Sequence, residues 1–244
     1  MKILSKITAL GALALALATP YAKAGENTPE EANKPVINGV YTDAGLFSRY
    51  LGTFGFTLSK GPVMQSDIGF NVGPIEYNIW NNLDEKKGSV NEIDNSLGYT
   101  YSTKNFDFRA GVIYFTFPDS TSPDAITEEY SLKTKNLPIN LKLYFSHAHG
   151  ETSNQGNLGQ ITLDKTLKLS QKISLSLEGR VTYNDYFFTS ESGITHVAAQ
   201  SKVNFDLGKG FTLTPSLSAQ RKIDGIHGIF KNRVVFGINL NKKF

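Results

Sequence analysis

The chain has 244 residues, with 25 Lys+Arg against 22 Asp+Glu, 40% hydrophobic residues and no cysteine, which excludes a disulfide framework and thiolate chemistry. Residues 1–24 carry three of the lysines and no acid, so the chain without them holds 22 basic and 22 acidic groups. The basic balance therefore belongs to the start of the chain and is not a nucleic-acid footprint.

That start reads as a secretory signal peptide. Lys2 and Lys6 precede an apolar stretch over residues 7–18, and Ala22-Lys23-Ala24 forms a small-x-small cleavage site. The stretch is shorter than the roughly 20 residues that cross a bilayer as a helix. No later segment is uniformly apolar over about 18 residues, so an exported membrane protein of this sequence crosses as a closed barrel or not at all. Residues 25–35, polar, acidic and with two prolines, read as a flexible periplasmic leader.

Residues 36–244 never settle into a helical period. Segments of about 8 to 14 residues alternate apolar and polar between turn residues, the pattern of transmembrane barrel strands. Twelve are predicted: 36–58 (a strand somewhere within it), 65–71, 75–81, 92–102, 106–117, 126–133, 138–146, 158–169, 172–183, 195–207, 211–220 and 232–244. Connectors alternate in length. Those at 72–74, 103–105, 134–137, 170–171 and 208–210 are short, and those at 82–91, 118–125, 147–157, 184–194 and 221–231 are long and polar. The first hairpin, around 59–64, is the exception, short where a long loop is expected. The expected fold is all-β: a single antiparallel up-and-down transmembrane β-barrel with short periplasmic turns and longer extracellular loops, in the bacterial outer membrane. Trp80, Tyr144, Tyr183, Tyr186, Phe187 and Phe188 lie near strand ends on the loop side, and one interfacial girdle is expected from them.

If the apolar parity faces lipid, the other parity lines the lumen. It includes Arg49, Asp67, Glu76, Asp107, Arg109, Lys142, Asp164, Glu178, Arg180, Lys202 and Asp206. The signs are mixed, unlike the one-sign ring of an ion filter. Such a set suits either a weakly selective polar channel or a lumen closed by salt bridges.

The last segment reads Val234, Phe236, Ile238, Leu240, Lys242 and Phe244 on one parity. Its tail resembles the assembly signal of outer-membrane barrels, with Phe236, Ile238, Leu240 and Phe244 as the signal residues. The barrel-assembly machinery and outer-membrane lipids are then the expected partners. Lys242 is the misfit on this apolar face, and it is expected to snorkel to headgroups at the periplasmic boundary.

Chemistry-bearing motifs are few. His147-x-His149 on an extended segment puts two rings on one face, but no third ligand stands at a recognisable spacing, so solvated loop histidines are favoured over a metal site. Ser190, Glu191, Ser192 and His196 are neighbours in sequence, yet nothing there fixes a base on a nucleophile. G-x-S-x-G, H-E-x-x-H and the phosphate loop are all missing. No catalytic residue, metal or cofactor is assigned, and the chain is read as a non-enzyme.

Ser48-Arg49-Tyr50, Gly55 and Ser59-Lys60-Gly61-Pro62-Val63-Met64-Gln65 resemble the opening of the TorF-like group of proteobacterial porins. That group shows an S-R-Y or D-Y-x-x-R-G start followed by an S-x-G-P-x-x-Q hairpin. Asn91-Glu92-Ile93-Asp94, Ala110-Gly111-Val112-Ile113-Tyr114-Phe115 and Phe211-Thr212-Leu213-Thr214-Pro215-Ser216-Leu217 are similar to the same group. Where relatives carry W-R-G, this chain has Leu51-Gly52-Thr53. The resemblance implies an outer-membrane barrel with a channel role and brings no catalytic residues. The leading expectation is a porin-like channel passing small polar solutes by diffusion. A structural or loop-mediated interaction barrel with a closed lumen is the alternative, and an outer-membrane enzyme comes third.

Overall fold

The computed structural model describes residues 37–52, 58–118, 124–149, 156–187, 191–223 and 231–244. The expected signal peptide and leader, 1–24 and 25–35, lie outside the described residues. The strands are β1 (Ile37–Phe47), β2 (Val63–Val72), β3 (Ile75–Asp84), β4 (Ser89–Ser102), β5 (Phe106–Thr116) and β6 (Ala125–Thr134). They continue as β7 (Asn140–His149), β8 (Gly156–Lys168), β9 (Ile173–Asp185), β10 (Ser192–Gly208), β11 (Phe211–Lys222) and β12 (Arg233–Lys243). Each pairs with its sequence neighbour, and β12 returns to β1, so the twelve close into one antiparallel up-and-down barrel.

Side-chain parity explains the closure. In β12, Val234, Phe236, Ile238 and Leu240 are 56%, 63%, 45% and 42% exposed, while Val235 between them is 4% exposed. The same outward apolar row runs through Leu97, Tyr99 and Tyr101 of β4 and Leu177, Val181 and Tyr183 of β9. Water tolerates scattered apolar exposure but not a continuous belt. Lipid accepts it, and closing the sheet removes the unpaired backbone edges that lipid would not accept.

At the seam, the ladder runs from Tyr41 opposite Lys243 to Phe47 opposite Gly237. The Phe47 ring turns inward across it: a Cβ on Gly237 would sit 2.2 Å from Phe47 Cδ1, so only glycine permits this lie. Below, the Phe244 N–H donates to the Val40 carbonyl at 2.9 Å. Lys242 faces outward, its ammonium 4.3 Å from the Phe211 ring centroid and 5.2 Å from that of Phe244, and it donates to the Lys209 carbonyl. Cation–π contact and a carbonyl acceptor accommodate a charge on the apolar parity.

Two sequence expectations are corrected. The first hairpin is not short: β1 ends at Phe47 and β2 starts at Val63, leaving 48–62 as the connection, whereas β3 and β4 are joined by only 85–88. The sequence places the first strand somewhere within 36–58, and β1 covers Ile37–Phe47 of that stretch. The girdle is also reassigned. Tyr183 and Tyr186 are exposed, at 48% and 53%, but Phe187 is 1% exposed, and Trp80 and Tyr144 pack against the interior cluster. Phe188 lies outside the described residues. Outward aromatics stand at both ends: Tyr114, Tyr183, Tyr186 and Phe236 toward the loops, and Tyr99, Tyr101, Phe106, Phe108, Phe211 and Phe244 toward the short turns.

Candidate functional site

The lumen has two halves. Toward the loops, every wall contributes buried side chains, and Tyr50, Val63, Phe115, Ala148, Leu158 and Phe187 form an apolar cluster with Leu58 and Trp80 packed on it. Their presence on the inward parity gives this half a small hydrophobic core. Several polar groups around it are paired with one another. Asn82 Nδ2 donates to Asn91 Oδ1 at 2.7 Å, Asn91 Nδ2 to Ser59 Oγ at 2.9 Å, and Gln65 Nε2 to Asn82 Oδ1 at 3.2 Å. This chain of amides ties the end of the 48–62 connection to β3 and β4. Its start is tied by Tyr50, whose hydroxyl donates to Glu92 Oε2 at 2.5 Å and whose ring stands edge-on to Trp80 at 6.4 Å. The segments of the TorF-like resemblance thus meet in space, Tyr50, Ser59 and Gln65 on one side and Asn91, Glu92 and Asp94 on the other.

Midway down lies an ionic belt. Arg109 Nη1 is 2.9 Å from Glu129 Oε2, and Arg109 Nε is 3.7 Å from Glu76 Oε2. The guanidinium lies flat on the wall because Gly98 leaves room: a Cβ there would sit 2.5 Å from Arg109 Nη2. Tyr41 donates to Glu76 at 2.7 Å, and Tyr144 donates to the other oxygen of Glu129. Lys133 Nζ meets Asp164 Oδ1 at 2.9 Å, and Arg180 stands 3.7 Å from Glu178. These side chains keep part of their exposure, 26% at Arg109, 33% at Glu76 and 32% at Glu178, so solvent reaches the belt.

Below the belt, toward the periplasm, the wall is made of small hydroxyls and amides. Asn204 Nδ2 donates to Ser174 and Ser176 at 3.2 and 3.3 Å and its Oδ1 accepts from Thr214 at 3.1 Å; Gln200 donates to Ser218 at 2.8 Å. All of these residues keep part of their exposure.

Of the residues singled out from sequence, Asp67, Glu76, Arg109, Lys142, Asp164, Glu178, Arg180 and Lys202 occupy the inward parity along the strands. Asp107 and Asp206 lie at the periplasmic rim. Asp107 accepts from Lys135 at 2.8 Å and Ser102 at 2.6 Å, and Asp206 Oδ1 accepts the Gly208 N–H at 2.8 Å in the turn. Arg49 follows the end of β1 and is exposed, so it stands outside the wall of the lumen. Sequence reasoning overlooked Tyr41, Asp43, Tyr50, Glu92, Asp94, Glu129 and Lys133. Parity would have found Glu92 and Asp94, since each is an odd number of residues from outward Leu97. Glu128 and Glu129 are adjacent, so their choice needed the register.

The histidines divide. His147 and His149 face outward at the end of β7, rings 4.5 Å apart; His147 Nδ1 is 2.9 Å from Asn157 Oδ1 and His149 Nε2 is 3.1 Å from Glu128. Among the described residues, no group of three or more His, Cys, Asp or Glu is placed to hold a metal. His196, a sequence neighbour of Glu191 and Ser192, is fully buried in the lumen, 3.2 Å from Thr182 Oγ1 and 2.8 Å from Thr195 Oγ1. A bulge between Ile194 and His196 inserts one residue and turns the imidazole inward. Ser190 lies outside the described residues, and His227 does as well.

Two concavities stand out. One of about 580 Å³ is an open trough on the outer wall, where Ala199 and Ala219 lie between Val197 and Val234; it faces lipid. The other, about 270 Å³, lies inside, between Tyr50, Gln65, Asn78, Trp80, Glu92, Asp94 and Phe115.

The fold is similar to that of solved outer-membrane proteins. A NanC porin superposes with a TM-score of 0.55 at 7% identity, covering 84% of this chain and 98% of that one. An outer membrane channel from Pseudomonas putida F1 gives 0.56 at 10% identity, covering 90% and 100%. At these identities the likeness is one of fold. No family model matches the chain, and no curated protein matches it. The chain is a closed antiparallel β-barrel with an outward apolar belt, of the fold these outer-membrane proteins share.

Proposed function

We propose that this barrel is a channel through which small polar solutes diffuse passively, and that it belongs to the TorF-like porin group. The observation that carries the channel reading is the partial exposure of Glu76, Arg109, Asp164 and Glu178, between 21% and 33%, on the inward parity of a closed barrel. A lumen sealed by salt bridges would strip these groups of water. Water that reaches the belt from the periplasmic half offers hydrated solutes the same path, along walls that replace part of their hydration. The two structures described above, named as a porin and as a channel, support the reading by their shared fold.

The second reading, a closed barrel acting through its loops, is favoured by the apolar packing of the loop-side half. Single-channel recording in a planar bilayer separates the two. The channel reading expects discrete conductance steps from protein whose folding is verified by heat-modifiable migration. Folded protein that gives no steps would leave the closed barrel as the function.

A further inference from the structure

We propose that the interior cavity beside Tyr50 and Trp80 is a binding site for a small organic cation of the alkylammonium class. The inference deepens the channel reading by naming a solute class, and it rests on that reading only for the cation's passage, not for its binding.

Charge balance is the first ground. Four other acids of the lumen and its rim have basic partners: Glu76 and Glu129 share Arg109, Asp164 has Lys133, and Asp107 has Lys135; Asp43 accepts from Asn239, and neither it nor Asp67 lines the cavity. Glu92 and Asp94, both lining the cavity, have no Lys, Arg or His within ion-pair distance among the described residues. Glu92 is 1% exposed and accepts from a neutral donor, the Tyr50 hydroxyl at 2.5 Å. Asp94 Oδ1 is shielded from water and accepts no hydrogen bond. Holding two carboxylates there without a counter-ion is costly, and a bound cation would offset that cost.

The second ground is the rest of the lining, which decides what kind of cation. An inorganic ion would need converging oxygens, and the described residues offer no such cluster of acids and histidines. Instead the walls are aromatic and apolar: Trp80 and Tyr50 stand at 64° to one another, and Ile113 and Phe115 of β5 complete the lining, Phe115 paired in the ladder with Asp94. Two rings at an angle beside anionic oxygens make an aromatic cage open to an alkylated ammonium, whose diffuse charge takes ring faces and carboxylates together. A volume of about 270 Å³ admits a compact molecule of that kind. Gln65 and Asn78 add amides for a polar tail.

Trp80 is the only tryptophan in the chain, so its fluorescence reports on this cavity alone. Folded full-length protein in detergent is titrated with choline and, separately, with the neutral alcohol in which carbon replaces the ammonium nitrogen. The expected result is a saturable change with choline and none with the alcohol, on wild-type protein that needs no substitution. Asp94→Asn, checked for folding by heat-modifiable migration, is expected to weaken choline binding by about tenfold or more. Equal responses to choline and the alcohol, no response to either, or unchanged affinity in folded Asp94→Asn would overturn the site. Planar-bilayer recording keeps the two proposals apart. Conductance steps without a choline response leave the channel standing and remove the site; a choline response without steps does the reverse.

Discussion

The loop-side and periplasmic halves of one lumen are built by different rules. Toward the loops, inward positions carry Phe115, Leu158, Ala148 and Phe187, none more than 2% exposed, and amides such as Asn82 and Asn91 between them are paired. Toward the periplasm, the same parity carries Ser174, Ser176, Asn204 and Thr214, which bond to one another and stay partly exposed. The strands are continuous through both halves, so backbone hydrogen bonding does not distinguish them. The difference teaches that the barrel wall provides the container, while the fate of its interior is set by side-chain volume on alternate residues. Large apolar residues on the inward parity make a core; small hydroxyls leave their half partly exposed.

The sharpest way to break that contrast is Phe115→Ala. Phe115 is 2% exposed and stacks on Phe117 with centroids 6.3 Å apart. Its truncation is expected to cost about 3–5 kcal/mol, as for a core phenylalanine. Heat-modifiable migration should then lose its folded form at a distinctly lower temperature. A shift no larger than for a surface change would mean that the loop-side half is not a core. Arg109→Ala tests the belt between the halves. It leaves Glu76 and Glu129 without their shared guanidinium, and because these groups keep some water the expected cost is moderate, about 1–3 kcal/mol. The same variant should raise cation over anion permeability in a bilayer, and an unchanged reversal potential would place Arg109 off the solute path. The smallest effect is expected from Thr214→Ala in the periplasmic half, within about 0.5 kcal/mol, since water replaces the bond to Asn204. A loss as large as that of Phe115→Ala would erase the distinction between the halves.

The barrel was legible because lipid imposes a rule the chain cannot evade. Outward positions must be apolar, so strands such as β9 show their period in the residue order itself, and all twelve were found. What misled was apolar sequence with another use. Within 36–58 the residue order did not bound the first strand; β1 ends at Phe47, and Leu58 packs on the interior cluster. Trp80 and Tyr144 look like interfacial anchors by their place near strand ends, but Trp80 shares its parity with Glu76 and Asn78 and so turns inward. His196 could not have been placed, because its direction depends on a one-residue bulge. The cavity lay equally out of reach: Tyr50 meets Glu92 across 42 residues, and no local pattern announces that contact.

The seam where Phe47 lies over Gly237 bears on the order in which the barrel comes together. Eleven of the pairings join sequence neighbours and can form as local hairpins, but β1 on β12 joins Ala44 to Leu240 across nearly the whole described chain. A contact of such sequence separation carries the largest loop-closure cost and forms late. Until then the molecule is an open sheet whose two free edges, β1 and β12, can pair with any other exposed strand. The last ring to settle is therefore that of Phe47, and its fit against a bare glycine marks the moment at which the growing sheet stops being available to its neighbours.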